Sequence, residues 1–143
     1  VTNNQVRQYG NYGILAQAGD NTAGGSGFLN ATVTGNVVAE RFGAFAGNGF
    51  HLNAGTATGD AHQVCLALSG NSLTGSGAVA DVRLRQRMLT TVRLPGYAAA
   101  NNDNLAAQAF VQATNGLNPT VQASNTVSTG GGGYVGGAAC AQP

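Results

Sequence analysis

The chain has 143 residues, of which 8% are charged, and its formal net charge at pH 7 is +1. So small a positive charge argues against a nucleic-acid-binding protein, because such proteins neutralise phosphates with clustered Lys and Arg. No apolar run reaches the roughly 18 residues that a membrane-spanning helix requires, so the sequence predicts no membrane span.

A six-residue motif occurs three times in the first half of the chain, at residues 1–6, 33–38 and 68–73. Its pattern is aliphatic, Thr or Ser, any residue, Asn, any residue, aliphatic. The motif asparagines are Asn4, Asn36 and Asn71, which lie 32 and 35 positions apart. Each motif precedes a short aliphatic strand, and loops and further strands follow in the same order. A shared order of strands with loops of variable length predicts repeating coils.

These repeats predict an all-β fold, a right-handed parallel β-helix (solenoid) of about three coils over residues 1–97. Alternating aliphatic residues place one face of each strand inward, and each strand pairs with its equivalent one coil away. Asn4, Asn36 and Asn71 then lie above one another, where side-chain amides form a hydrogen-bonded ladder. A glycine beside the Asn, as at Gly35 and Gly70, permits the left-handed backbone of a sharp corner.

The periodicity changes after Tyr97, and residues 98–143 are predicted to cap the solenoid. Asn102 or Asp103 can cap a helix over about 103–115, and Gly116 is placed to end it. A strand over about 120–129 and a Gly-rich capping strand follow, because an open last coil would present unpaired backbone groups. The predicted apolar stripe of the helix consists of Leu105, Ala106, Ala109, Phe110 and Ala113.

The Asn motif followed by Gly and Ile resembles the parallel β-helix repeat of the pectate-lyase-like superfamily, over about residues 1–94. Residues 81–87 and 90–97 resemble a segment near the C-terminus of large, uncharacterised bacterial surface proteins with β-strand repeats. Those proteins tend to end in a Gly-rich stretch with a Cys, as residues 130–140 do here. The resemblance implies secretion and a structural or adhesive role, and it implies no catalytic residues.

The two cysteines, Cys65 and Cys140, have no CxxC spacing and no His partner at ligand spacing, so a zinc site is not expected. We predict a disulfide between them that pins the Gly-rich tail onto the solenoid. The alternative is a pair of buried free thiols.

Arg83, Arg85 and Arg87 alternate along one strand and therefore share its outer face. They form either a site for an anion or an acidic glycan or a solvated face that pairs with nearby acids. A polysaccharide lyase is the enzyme alternative, but the five carboxylates include no paired motif for a metal or a two-carboxylate mechanism. His51 and His62 lie alone, without a nucleophile motif. The sequence thus predicts no catalytic residue, metal site or cofactor.

Val1 falls inside a repeat motif with no cap before it. Either further coils precede it, or the open end receives another molecule, and head-to-tail contact that does not close produces a filament. Four tyrosines beside Gly or polar residues suit contacts between molecules: Tyr9, Tyr12, Tyr97 and Tyr134. We therefore expect a non-catalytic, secreted bacterial structural protein that stacks into a fibre or surface assembly. The alternatives are the C-terminal part of a glycan-binding adhesin and a remnant of a lyase-like β-helix.

Overall fold

The computed structural model describes residues 1–20, 22–43, 47–76, 80–125 and 131–141. Within these ranges the chain forms eleven strands and one helix. In chain order they are β1 Gln5–Arg7, β2 Tyr12–Ala18, β3 Phe28–Thr34, β4 Val37–Ala39, β5 Asn48–Ala54, β6 Gln63–Ser69, β7 Ser72–Leu73, β8 Val82–Gln86, β9 Thr91–Arg93, α1 Asn104–Thr114, β10 Val121–Ser124 and β11 Gly133–Val135.

The strands form three parallel sheets, with the orders β1-β4-β7, β10-β8-β5-β2 and β11-β9-β6-β3. Each sheet takes one strand from each coil: β1 to β3 form the first coil, β4 to β6 the second and β7 to β9 the third. The predicted all-β parallel β-helix of about three coils is thus confirmed. Its right-handed sense stays a prediction.

The core lies between the sheets and is built from rows of equivalent residues. Ile14, Phe50 and Val82 are neighbours in one row of the second sheet, and Ala16, Leu52 and Leu84 in the next. All four of the β5 and β8 residues in these rows are fully buried. Burying each such large side chain contributes about 1.5–3 kcal/mol. Alternation therefore turns one face of every strand inward and leaves the other for polar or exposed residues.

Helix α1 takes the place of a missing part of the third coil. Strand β9 pairs only with Gln63, Val64 and Cys65, so the second half of β6 has no strand beside it on that side. Instead, the Gly70 N–H donates to the Thr114 carbonyl oxygen at 2.8 Å, and the Thr114 hydroxyl donates to that of Leu68 at 3.3 Å. The end of the helix thus provides hydrogen-bond partners for the part of the β6 edge that β9 leaves unpaired.

Asp103 caps α1 by accepting the Ala106 N–H at 2.8 Å, but the predicted apolar stripe is wrong. The buried residues of the helix are Ala107 and Val111. Leu105 is 75% exposed, and Ala109 and Ala113 are also exposed, while Ala106 and Phe110 are partly buried. The contact of Thr114 with β6 fixes the rotation of the helix, and this tertiary constraint overrides the hydrophobic pattern.

The cap continues the sheets for part of a fourth coil. β10 pairs with β8, and β11, the predicted Gly-rich capping strand, pairs with β9. Only residues 121–124 of the predicted 120–129 strand are strand, and 126–130 lie outside the described residues. Cap residues Ala107, Val111 and Tyr134 share one hydrophobic core with the coils.

Three of the four tyrosines predicted to suit intermolecular contacts are buried instead, namely Tyr9, Tyr97 and Tyr134. The Tyr134 hydroxyl lies within hydrogen-bonding distance of the Leu84 carbonyl oxygen at 3.1 Å and that of Ser124 at 2.8 Å. A buried tyrosine is favoured where its hydroxyl finds a hydrogen-bond partner, as those of Tyr97 and Tyr134 do. No helix in the described ranges combines the length and the apolar character needed to cross a membrane.

Candidate functional site

The predicted asparagines form a continuous ladder along one corner of the solenoid. The Asn36 Nδ2 donates to the Asn71 Oδ1 at 2.9 Å, and the Asn36 main-chain N–H donates to the same oxygen at 3.0 Å. Asn4 makes the same two bonds to the Asn36 Oδ1, at 3.1 and 3.0 Å. The residue before each of these three asparagines has a positive φ, which is 54° at Asn3, 66° at Gly35 and 64° at Gly70.

A fourth rung, Asn115, is absent from the sequence motif. The Asn71 Nδ2 donates to the Asn115 Oδ1 at 2.8 Å, and the Asn71 N–H donates to it at 3.1 Å. The separation of 44 residues hides this rung, because α1 is inserted before the corner. The Asn115 Nδ2 donates to the carbonyl oxygens of Val111 at 2.8 Å and Leu68 at 3.1 Å. Both of its amide protons thus have acceptors within the cap, so the ladder terminates there.

The other end of the ladder is open. Every rung donates to the rung one coil later, so the free group at the first rung is an acceptor, the Oδ1 of Asn4. Asn4 is exposed, and no donor among the described residues bonds this oxygen. An amide in the position of a preceding coil would therefore find an unused acceptor.

Among the described residues, no strand pairs with β2 on the same side of the solenoid. In β5, the main-chain groups of inward-facing residues bond to the following coil. The Phe50 N–H donates to the Asp81 carbonyl oxygen at 3.0 Å, and the Ala54 carbonyl oxygen accepts the Arg87 N–H at 2.9 Å. Since successive residues of a parallel strand point their N–H and C=O groups to opposite sides, the outward residues of β2 direct theirs away from β5. These residues are Leu15 and Gln17, and β2 lies at the edge of its sheet.

The edge of β3 is partly covered by the first residues of the chain. The Thr34 N–H donates to the Val1 carbonyl oxygen at 3.1 Å, the Asn3 N–H to that of Thr34 at 3.0 Å, and the Val1 amino group to that of Thr32 at 2.9 Å. Phe28, at the uncovered start of β3, is 82% exposed. We call the unpaired side of the first coil, formed by β1, β2 and the start of β3, the open edge.

The opposite end of the solenoid is largely covered. The Tyr134 N–H of β11 donates to the Asn101 carbonyl oxygen at 3.0 Å, and α1 packs against β10 and β6. Together with the closed rung at Asn115, these contacts satisfy groups that a further coil would use. The two ends therefore differ: one is capped and the other is an unpaired edge.

The predicted disulfide is present, with the Cα atoms of Cys65 and Cys140 5.5 Å apart, so the alternative of two free thiols is wrong. Cys65 lies in β6, and the bond carries the tail from β11 back across the outer face of this sheet. A Cβ at Gly136 would overlap the Tyr97 carbonyl oxygen, so this turn of the tail requires glycine. An open groove of about 500 Å³ beside the tail is lined by Phe28, Gln63, Arg93 and Val135, among others.

Arg83 and Arg85 lie on the outer face of β8, beside His51 and Asn53 of β5. Arg87 follows β8, and its Nη2 donates to the Asn53 Oδ1 at 3.2 Å. Among the described residues, neither Arg83 nor Arg85 forms an ion pair with a carboxylate. We call Arg83, Arg85 and Arg87 the arginine face.

His51 is buried on this outer face, with only 4% of its surface exposed. Its ring meets the Tyr12 ring edge-on at 4.7 Å, and neither ring nitrogen has a hydrogen-bond partner. Burial, then the charges of Arg83 and Arg85, lower the pKa of His51 to about 4. The imidazole is therefore neutral at physiological pH.

Each carboxylate is engaged in local structure. Asp60 accepts the main-chain N–H groups of Thr56 at 2.7 Å, Ala57 at 2.9 Å and Gly25 at 3.1 Å. The N–H groups of Ala57, then Thr56, lower the pKa of Asp60 below its usual value. The remaining carboxylates bond as follows: Asp20 to Thr22, Glu40 to Arg7, Asp81 to Ser76 and Thr120, and Asp103 to Ala106.

This arrangement offers no pair of free carboxylates for a lyase-like reaction. In the described part of the chain, no three His, Cys, Asp or Glu side chains gather where they could hold a metal ion. No protein-family model, curated protein or solved structure matches the chain.

Proposed function

We propose that the protein is a non-catalytic structural protein of the extracellular space, and that it assembles by adding strands at its open edge. The observation that carries this proposal is the difference between the two ends of the solenoid within the described residues: α1 and β11 cap one end, and β2 forms a strand edge at the other. An unpaired strand edge is a template for pairing with another chain.

The energetics favour association at this edge. Each main-chain hydrogen bond formed there contributes about 0.5–1.5 kcal/mol net. Little side-chain entropy opposes it, because Leu15 loses less rotamer freedom than a Lys or Arg. The disulfide supports the extracellular setting, because such bonds persist in oxidising compartments.

A single edge substitution tests the proposal. In Leu15→Pro the outward N–H is lost, but the bonds from β2 to β5 remain, and proline is tolerated at a strand edge. Leu15→Thr is the matched control, because it keeps the N–H and a β-favouring side chain. We expect wild type and Leu15→Thr to associate with rising concentration in light scattering and negative-stain electron microscopy, and Leu15→Pro to stay monomeric with an unchanged circular dichroism spectrum. Wild type that stays monomeric up to millimolar concentration would refute self-assembly.

The uncompensated arginine face favours a second function, binding of an acidic glycan. We expect polygalacturonate to bind wild type in calorimetry, and Arg83→Gln/Arg85→Gln to lose most of this affinity. Arg7→Gln/Arg93→Gln removes the same charge from the other two sheets and serves as the control. Equal losses in both double variants would reduce the effect to net charge and contradict a site.

A further inference from the structure

We infer that a small thiol compound attaches to this protein at Cys140 by exchanging with the Cys65–Cys140 disulfide, and that Arg93 directs the exchange to this sulfur. The inference assigns a modification site on the outer face of the β11-β9-β6-β3 sheet. It goes beyond the proposed assembly and does not depend on it.

A positively charged donor lies directly beside one sulfur of the disulfide. The Arg93 Nε donates to the Cys65 Sγ at 3.2 Å. These two residues are neighbours in the register of β9 and β6, and both line the groove on the outer face of the sheet. The tail packs on the stem of the arginine, since a Cβ at Gly137 would lie 2.9 Å from the Arg93 Cδ. The fold therefore holds the guanidinium at the Cys65 sulfur.

This contact matters because thiol–disulfide exchange places negative charge on the sulfur that leaves. An incoming thiolate attacks one sulfur, and the other departs as a thiolate, faster when that thiolate is more stable. A Cys beside an Arg ionises more readily than an isolated Cys. Among the described residues, no carboxylate forms an ion pair with Arg93, so its guanidinium can pair with a Cys65 thiolate. Cys65 is therefore favoured as the leaving group, which makes Cys140 the sulfur that is attacked.

The fold also gives a route to the Cys140 sulfur. Cys65 lies within β6, whose main chain pairs with β3 on one side and β9 on the other. The Cys140 side chain is buried, but it belongs to the tail and lies between the exposed residues Ala139 and Ala141. An outward movement of this short segment uncovers its sulfur and leaves the coils unchanged. The groove of about 500 Å³, which Ala141 also lines, offers space beside the segment for a small thiol.

The exchange is balanced without an external oxidant or reductant. The incoming thiolate forms a new S–S bond to the Cys140 sulfur, the bond to Cys65 breaks, and its electron pair leaves on the Cys65 sulfur. One disulfide replaces another, so there is no net oxidation or reduction. The product carries the thiol compound on the tail and a thiolate on β6. This thiolate can attack the mixed disulfide in turn, so the attachment is reversible.

Mass spectrometry of tryptic peptides identifies the sulfur that is attacked. The oxidised full chain is incubated with glutathione, free thiols are blocked with N-ethylmaleimide, and the protein is digested. Cleavage after arginine places Cys65 in residues 42–83 and Cys140 in residues 94–143. At early times we expect glutathione on Cys140 and N-ethylmaleimide on Cys65, in about tenfold excess over the reverse pattern.

Arg93→Gln tests the role of the guanidinium. We expect exchange in this variant to slow by about tenfold and the preference for Cys140 to disappear, whereas a merely loosened tail would speed attack on Cys140. Arg85→Gln removes the same charge from the outer face of β8 and should behave as wild type. Glutathione on Cys65 as often as on Cys140 in wild type, or a preference unchanged in Arg93→Gln, would overturn the inference. Folded wild type that forms no adduct, under conditions in which the urea-unfolded chain reacts, would also overturn it.

Discussion

Replacing Asn71 with Ala tests how much stability the ladder supplies. Asn71 is fully buried, and its side chain takes part in bonds with Asn36, Val33 and Asn115 at 2.8–3.0 Å. In the variant, the buried Asn36 N–H loses its acceptor, which costs about 1–3 kcal/mol. Losing the side-chain bonds adds about 0.5–1.5 kcal/mol each. We expect the free energy of unfolding to fall by about 3–5 kcal/mol.

The matched control is Asn4→Ala at the open end of the same ladder. Asn4 is exposed, and the variant keeps its main-chain N–H bond to the Asn36 Oδ1. Only its Nδ2 bonds to Thr2 and Asn36 are lost, and solvent can replace them at this exposed side chain, so we expect a fall of about 1 kcal/mol or less. Urea unfolding of the oxidised protein, followed by far-ultraviolet circular dichroism, measures both. Equal losses in the two variants would refute the argument that buried rungs carry the ladder's stability.

Three further predictions concern the disulfide and two titrating groups. Replacing Cys65 and Cys140 by Ala opens a loop of 75 residues. The free energy of unfolding in urea should fall by about 4 kcal/mol, because the unfolded chain regains the entropy that loop closure removed. An unchanged urea midpoint would contradict this. The pKa of His51 is lowered from 6.5 to about 4, so the unfolded chain binds its proton more tightly and stability is lost as pH falls from 6.5 to 4. Over that interval, urea melts should show the free energy of unfolding of wild type falling by an amount on the order of 2–3 kcal/mol that His51→Gln does not lose. Parallel pH curves for wild type and variant would exclude His51 as the cause. The pKa of Asp60 lies below 3.8, so its contribution to stability is present above pH 3.8 and is lost as pH falls through the folded-state value. Thermal melts should show that Asp60→Asn is less stable than wild type at pH 7 and that the difference narrows at pH 2. A difference that stays constant with pH would contradict this.

The recurring motif was enough to predict the coils because the corner makes two local demands. It needs a residue that tolerates positive φ, followed by an Asn whose amide spans one coil to the next. Both demands are visible in the sequence at Gly35-Asn36 and Gly70-Asn71. The pairing of Cys65 with Cys140 could be predicted because the chain has no other cysteine.

The features that the sequence did not reveal depend on tertiary contacts. Asn115 has the chemistry of a rung, but the helix before it breaks the spacing. The prediction of the buried face of α1 was wrong because Thr114 contacts β6, and this rotation of the helix turns Leu105 to solvent. The burial of His51 also depends on a tertiary contact, because its position on an outward row does not by itself indicate burial. What covers it is packing against Tyr12 from the neighbouring strand.

The direction of the ladder links the fold to the proposed assembly. Every rung donates to the coil that follows, so each coil leaves an acceptor on its earlier side and requires one on its later side. Asn115 ends the ladder on the later side, because its side-chain amide donates to the carbonyl oxygens of Val111 and Leu68. A further strand could accept from this amide only if those bonds were broken. Among the described residues, no donor bonds the Asn4 Oδ1 on the earlier side. The same polarity that makes the coils stack therefore makes the two ends of the described solenoid unlike, because Asn115 has used its amide protons at one end and Asn4 presents an acceptor at the other.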